Sequence, residues 1–208
     1  MPSSKLRPSF WDHHHCVPLS RDLAPSSIFE RFKDYLVFDI ETKDLAPVDS
    51  SLENLAKLGV SVVCAYDSKV GKMLTFFEND VPKLVKLMSE RVVVGYNIRR
   101  FDLPVLTGYG LELEGLEVFD LMDEVERGMG RKWIKLQYVA MGTLGEGKSA
   151  DGKIAVEWYK QGKMKELAEY CAVDVEVTHK IFRHGLDKRF LAVEWGEGKR
   201  KEFVVNWT

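Results

Sequence analysis

Short apolar runs separated by polar turns recur along the chain, and they predict β-strands. Four such runs occupy residues 35–41, 59–66, 72–77 and 91–97, and residues 115–121 form a candidate fifth strand. Short runs of this kind bounded by turn-forming residues are typical of strands. The first run, Y-L-V-F-D-I-E, is apolar at nearly every position, so we expect a strand that is buried on both faces.

Helical spacing is found between and after these runs. Val81, Leu84, Val85 and Met88 recur at i, i+3, i+4 and i+7, which predicts an amphipathic helix. The segment F-D-L-P-V-L-T-G-Y predicts a second helix. A long helix is predicted from about Met164 to about His184, with one apolar stripe made by Met164, Leu167, Cys171, Val175 and Phe182.

The order of these elements predicts the organisation of the chain. Strands that come first, with helices interleaved later, indicate an α/β fold with a sheet of mixed direction. We expect residues 1–33 to be an N-terminal extension and residues 34–188 to be the main domain. Residues 189–208, with F-L-A-V-E-W and E-F-V-V-N-W around G-E-G-K-R-K, predict a β-hairpin.

Composition excludes some classes of protein. A net charge of -2 excludes a strongly basic nucleic-acid coat, although it is compatible with a local basic patch. Three scattered cysteines, Cys16, Cys64 and Cys171, give no disulfide framework. No apolar run is long enough to cross a bilayer, and the first residues lack the apolar segment of a secretory signal. We therefore expect a cytoplasmic protein without a membrane partner.

Two acids interrupt the first strand. Asp39 and Glu41 are two residues apart, so the period of a strand places both carboxylates on one face. Adjacent anions repel each other, and a divalent cation is the usual reason to keep them together. A strand end that reaches solvent, with both acids hydrated, is the alternative, and the pair alone does not decide between them.

Two further stretches favour the metal site. Asp102 in N-I-R-R-F-D-L-P follows the fourth strand, at the edge of an α/β sheet where sites form. In Y-C-A-V-D, Tyr170 and Asp174 are four residues apart and share a helix face. Together with Asp39 and Glu41, these acids fit a two-metal site for phosphoryl transfer, and Tyr170 is placed to orient or help activate the attacking water.

The motifs F-D-I-E-T, N-I-R-R-F-D-L-P and Y-C-A-V-D, in this order, resemble those of the DEDD 3'-5' exonucleases. Tyr170, four residues before Asp174, matches the tyrosine subclass (DEDDy). The residues of the second and third motifs are most similar to those of the proofreading exonuclease domain of family B DNA polymerases. The resemblance covers about residues 34–188. No polymerase module follows within this sequence, so proofreading within the chain is not expected.

The resemblance implies an RNase H-like fold with a mixed five-stranded sheet. It implies two Mg²⁺ or Mn²⁺ ions held by Asp39, Glu41, Asp102 and Asp174, with Tyr170 beside the scissile phosphate. It further implies that Thr42, Asn97 and Phe101 contact the substrate strand, although Phe101 is equally well explained as a core residue. The expected activity is 3'-5' exonucleolytic hydrolysis of single-stranded DNA ends, with RNA as the alternative substrate.

Other functions compete with this hypothesis. A catalytically idle RNase H-like module that only binds nucleic acid is one, but the intact acidic set favours an enzyme. The stretch G-T-L-G-E-G-K-S, residues 142–149, fits the phosphate-binding loop of nucleotide triphosphatases. Such a loop opens a helix, whereas the turn signal Asp151-Gly152 follows here, so we favour a glycine-rich connection.

Two smaller clusters remain. Arg99 and Arg100 adjoin Asp102, and they either bind phosphates or lie solvated on a helix surface. The contiguous residues His13, His14, His15 and Cys16 cannot all face one ion, so an exposed loop is favoured over a zinc site.

Overall fold

The computed structural model describes residues 30–147, 153–196 and 198–207, and its main sheet has the strand order β3-β2-β1-β4-β5. The strands are β1 (Tyr35–Thr42), β2 (Val60–Asp67), β3 (Lys72–Phe77), β4 (Val92–Gly95) and β5 (Val118–Asp120). Pairs β1–β2 and β2–β3 are antiparallel, whereas β1–β4 and β4–β5 are parallel. The predicted α/β fold with a mixed five-stranded sheet is confirmed.

Two strands are shorter than their apolar runs predict. Strand β4 ends at Gly95, because Asn97 adopts a φ of 65° and so leaves the extended region. The amide of Asn97 donates to Asp120 Oδ1 at 2.8 Å, which fixes the turn. Strand β5 begins only at Val118, after Gly115 with its φ of 78°.

Helices cover both faces of this sheet. Among the described residues they are α1 (Leu52–Ala56), a 3₁₀ turn (Glu78–Asp80), α2 (Val81–Met88), α3 (Asp102–Thr107), α4 (Leu121–Met129), α5 (Leu136–Leu144), α6 (Lys153–Lys160) and α7 (Met164–Lys188). The predictions of α2, α3 and α7 are confirmed, and α7 runs one turn beyond its predicted end. The apolar patterns do not predict the other four helices, α1, α4, α5 and α6.

Alternation along β1 divides the core into two layers. Leu36 and Phe38 pack with α1, α2 and α3 on one face of the sheet. Tyr35 and Val37 pack with α5, α6 and α7 on the other face. The predicted strand with both faces covered is thus present, and odd-numbered positions of β1 point towards α7.

The predicted hairpin closes the α7 side of the core. It consists of β6 (Phe190–Glu194) and β7 (Arg200–Val204), which pair antiparallel. Trp207, after β7, is buried and stacks on Phe182 of α7 with ring centroids 5.5 Å apart. A Cβ atom at Gly185 would lie 1.9 Å from the Trp207 ring, so a larger residue there would displace the ring.

The glycine-rich stretch begins inside a helix. Gly142 belongs to α5, where a Cβ atom would lie 2.6 Å from the carbonyl oxygen of Ala192. The prediction of a connecting loop is therefore wrong for residues 142–144, and close packing on the hairpin explains Gly142. Lys148, Ser149 and the His13–Cys16 cluster lie outside the described residues.

Throughout the described ranges, no helix has both the length and the apolar character that crossing a membrane requires.

Candidate active site at the carboxyl edge of the sheet

Asp39 and Glu41 lie in the second half of β1 and are half-buried. They continue the alternate positions of Tyr35 and Val37, so their side chains face α7 rather than the helices on the opposite side. The register between β1 and β2 shifts between Glu41 and Thr42, and β1 ends at Thr42. The two carboxylates therefore stand at the open carboxyl end of a buried strand.

Asp174 of α7 completes an acidic cluster with these residues. One carboxylate oxygen from each of Asp39, Glu41 and Asp174 lies within 4.8 Å of the other two. Asp174 is only 4% exposed, since it sits on the face of α7 that contacts the sheet. The long helix therefore brings the third sequence motif directly onto the first.

The cluster suits a hard divalent cation. Three carboxylates at this separation repel one another, and burial of Asp174 makes the repulsion costly because the surrounding dielectric is low. Oxygen donors are the ligands that Mg²⁺ and Mn²⁺ prefer, and the described cluster contains neither histidine nor cysteine ligands. The residues present thus fit the cations that the motifs imply.

Asp102 lies outside this group of three. It is the first residue of α3, it is buried, and its Oδ1 accepts a hydrogen bond from the backbone amide of Ile40 at 3.2 Å. Strand β4 pairs with β1 only as far as Val37, so Asp102 occupies the place beyond the end of that ladder. Burial raises the pKa of Asp102 to about 7, against the opposing effect of backbone hydrogen bonds.

Tyr170 lines a cleft beside the acidic cluster. The cleft has a volume of about 470 Å³, and Tyr170, Asp174, Val173 and Trp158 contribute to its wall. The rings of Trp158 and Tyr170 meet edge to face with centroids 5.9 Å apart, so α6 holds the tyrosine ring against α7. Sequence reasoning does not single out Trp158, because this residue lies in a helix that the pattern does not predict.

The remaining predicted substrate contacts have different surroundings. Thr42 is buried, and its hydroxyl donates to the carbonyl oxygen of Asp44 at 2.7 Å. Phe101 is half-buried against the core layer of α1 to α3. Asn97 is half-buried in the turn after β4. Their contacts with substrate stay predictions.

Asp120 organises the loop between β4 and α3. Its Oδ2 accepts from the amide of Arg99 at 3.0 Å, and its Oδ1 accepts from the amides of Asn97 and of Met122. The carboxylate therefore caps α4 and fixes the loop that leads into Asp102. Burial raises the pKa of Asp120, and these backbone donors oppose the shift.

Arg99 and Arg100 are ion-paired to α4. Arg100 contacts Glu126 at 2.7 Å and Asp123 at 2.9 Å, and Arg99 lies 3.4 Å from Asp123. These pairs fix the two arginines to α4 instead of leaving them merely solvated.

Two buried free thiols lie behind the cluster. Cys171 Sγ is 3.3 Å from the carbonyl oxygen of Asp39, and Cys64 Sγ is 3.4 Å from the carbonyl oxygen of Ala168. Burial raises the pKa of Cys171, so the thiol stays protonated and can donate to the strand. From the sequence we predict only that these cysteines form no disulfide framework.

The chain matches known proteins across the region that holds this site. A family model of the RNase H superfamily matches residues 36–185, well over half of the chain. A DNA polymerase of Thermococcus litoralis is 24% identical over 209 aligned residues, covering 78% of this chain but 12% of the polymerase. The matched part of the polymerase is thus a small fraction of that protein. The predicted RNase H-like fold is confirmed, and the chain belongs to the RNase H superfamily.

Proposed function

We propose that the chain is a metal-dependent 3'-5' exonuclease that removes nucleotides from single-stranded nucleic-acid ends, with DNA as the expected substrate. The observation that carries this proposal is the convergence of Asp39, Glu41 and Asp174 within 4.8 Å. A nuclease-type fold and weak similarity to a DNA polymerase support it.

The acids would hold two divalent cations. Asp39, Glu41 and Asp174 supply a converging set of oxygen ligands, and Asp102 supplies a fourth carboxylate at the adjoining strand end. When bound, the cations would provide Lewis-acid activation of water and neutralise the charge that develops on the leaving 3'-oxygen. Binding of a cation would also lower the pKa of Asp102, since positive charge favours the ionised carboxyl.

Tyr170 would position the attacking water. Its ring is held by Trp158, and it lies one helical turn from Asp174 in the same cleft. A tyrosine hydroxyl can donate and accept hydrogen bonds but is a poor base. We therefore assign Tyr170 the orientation of water by hydrogen bonding, not the removal of a proton from it.

Polarity of degradation is proposed from the motifs. The order of the three motifs and the tyrosine spacing resemble 3'-5' exonucleases, and the aligned relative is a DNA polymerase. Hydrolysis would therefore begin at a free 3' end. A circular single strand has no such end and should resist the protein.

The test compares two aspartates of the same helix. Asp174→Asn should lose nearly all hydrolysis of a 5'-labelled single-stranded oligonucleotide, and so should the unaltered protein in excess EDTA. Asp187→Asn, at an exposed position of α7 paired with Arg183, should keep full activity. DNA and RNA strands of one sequence, tested side by side, give the substrate preference.

Several outcomes would overturn the proposal. Hydrolysis by Asp174→Asn at the normal rate would remove that residue from the site. Cleavage of a circular strand would indicate an endonuclease, and binding without hydrolysis in Mg²⁺ or Mn²⁺ would indicate the catalytically idle module.

A further inference from the structure

Trp133 stands in an unusual place for a tryptophan. Its side chain is 70% exposed, and its backbone has a φ of 60°, in the left-handed region. A bulky residue in that region is strained, and a protein holds one only where the surroundings fix the backbone. Both the exposure and the strain argue against a packing role for this side chain.

A buried carboxylate fixes the Trp133 backbone. Glu126, whose side chain is 1% exposed, accepts a hydrogen bond from the Trp133 amide at 2.7 Å. It also accepts from Lys132 at 2.9 Å and from Arg100 at 2.7 Å. Burial alone would raise the pKa of Glu126, but these donors hold it at about 2, so the anchor stays charged.

One face of the indole ring is covered by Arg100. The guanidinium carbon lies 5.2 Å from the ring centroid, which is a cation–π contact. Because the side chain is still largely exposed, the opposite ring face is open to solvent. The ring is thus supported from one side and available from the other.

The segment is tied to the loop that precedes Asp102. Ile134 is buried, and its carbonyl oxygen accepts a hydrogen bond from the Tyr96 hydroxyl at 2.5 Å. Tyr96 follows β4, and Arg100 lies two residues before Asp102. Trp133 is therefore held at the same edge of the sheet as the acidic cluster, on the β4 side.

The neighbours of Trp133 in the sequence are basic. In R-K-W-I-K, residues 131–135, the three basic side chains Arg131, Lys132 and Lys135 are all exposed. An aromatic ring within a basic segment is the combination that binds single strands, since the cations attract phosphates and the ring stacks on a base.

We propose that Trp133 is a stacking platform for a nucleobase of the substrate strand, upstream of the 3' end. This inference rests on the proposed function. Arg100 supports the ring from behind, and the base covers the open face. Stacking is indifferent to sequence because every base has a π-face. A hydrophobic protein partner fits less well, because the flanking residues carry positive charge.

The decisive variant is Trp133→Gly. Glycine adopts a positive φ without strain, so the folded state should be as stable as the unaltered protein or more stable. Loss of the ring should weaken binding of a labelled single-stranded oligonucleotide by about tenfold, the scale of one base–aromatic contact. Trp133→Phe should retain part of the affinity. Binding is measured by fluorescence anisotropy in EDTA, where no hydrolysis occurs.

Two controls separate this role from general effects. Phe77→Ala removes an exposed aromatic ring from β3, the outer strand on the side of the sheet away from β4 and β5. This variant should leave affinity unchanged. The proposal places the platform upstream of the last two nucleotides, so a dinucleotide should be hydrolysed equally by Trp133→Gly and the unaltered protein.

If Trp133→Gly binds the longer strand with unchanged affinity, the inference is wrong. That result would favour contact of the indole ring with a protein partner. Failure of the unaltered protein to hydrolyse any strand would remove the proposed activity, whereas the anisotropy comparison would still decide the platform.

Discussion

Asp102 and Ile40 are joined by a hydrogen bond between the carboxylate of one and the backbone amide of the other, at 3.2 Å. The contact connects the second acidic motif to the strand that carries the first. It satisfies a backbone donor that lies beyond the β1–β4 ladder, and an unsatisfied donor there would be costly. Asp102 therefore has a structural role besides any part in metal binding.

Asp102→Asn should separate these two roles. The carboxamide oxygen can still accept from Ile40, so the fold should persist while hydrolysis is lost. In the unaltered protein, the pKa of Asp102 is raised from 3.8 to about 7. The neutral carboxyl thus contributes stability that is complete below pH 3.8 and is lost as pH rises through about 7. Urea unfolding in EDTA from pH 4 to pH 8 should show that loss only in the unaltered protein.

Comparing the unaltered protein with Asp102→Asn cancels the pH dependence that comes from titrating groups present in both, such as His179. Parallel stability curves would show that Asp102 is ionised throughout and would contradict the shift.

Divalent cations should stabilise the fold through the acidic cluster. Saturating Mn²⁺ should raise the melting temperature of the unaltered protein by several degrees, because a ligand that binds only the folded state adds to stability. Asp39→Asn should lose most of this shift and, without metal, should melt no lower than the unaltered protein, since one repelling charge is gone. Asp80→Asn, at an exposed acid paired with Lys83, should keep the full shift. An equal Mn²⁺ shift in Asp39→Asn would place the cation elsewhere.

Tyr170→Phe should lower turnover without weakening substrate binding. The ring and its contact with Trp158 are kept, so stability should change little. Loss of the hydroxyl should reduce the single-turnover rate on the order of 10²-fold, as for other groups that position a reacting proton. KM should hardly change, since the missing interaction acts on the transition state. Tyr138→Phe on α5 is the matched control and should keep the full rate. An unchanged rate for Tyr170→Phe would show that Tyr170 only packs against its neighbours.

Gly185→Ala should destabilise the protein even though alanine favours helices. The new methyl group would lie 1.9 Å from the Trp207 ring, and such overpacking costs about 1–3 kcal/mol. In a Trp207→Ala background the same substitution should be neutral or stabilising, because the collision is gone. A double-mutant cycle by urea unfolding measures this coupling, and additive effects would contradict it.

Local sequence patterns were sufficient for the sheet and for the acids. The strand at residues 35–41 and the helix from Met164 were predicted because apolar periodicity reports burial directly. The spacing of Asp39 and Glu41 placed both on one face because a strand has a period of two. These features depend on neighbouring residues alone.

Contacts between distant segments could not be predicted in this way. The pairing of Arg100 with Glu126, and with it the exposure of Trp133, depends on how α4 lies against the loop after β4. Helix α6 is amphipathic, but at eight residues it is too short for its apolar stripe alone to distinguish it from a loop. Asp102 lies apart from the other three acids because β4 ends early, at Gly95. The apolar run at residues 91–97 overestimates the length of this strand.

The stacking of Trp207 on Phe182 also bears on how the chain folds while it is being made. Helix α7 leaves the ribosome before residue 207 does, so its apolar face around Phe182 and Gly185 stays uncovered for that interval. Exposed surface of this kind attracts chaperones and proteases. A nascent chain that stalls between residues 188 and 207 would carry every proposed catalytic residue and still be unable to complete its core.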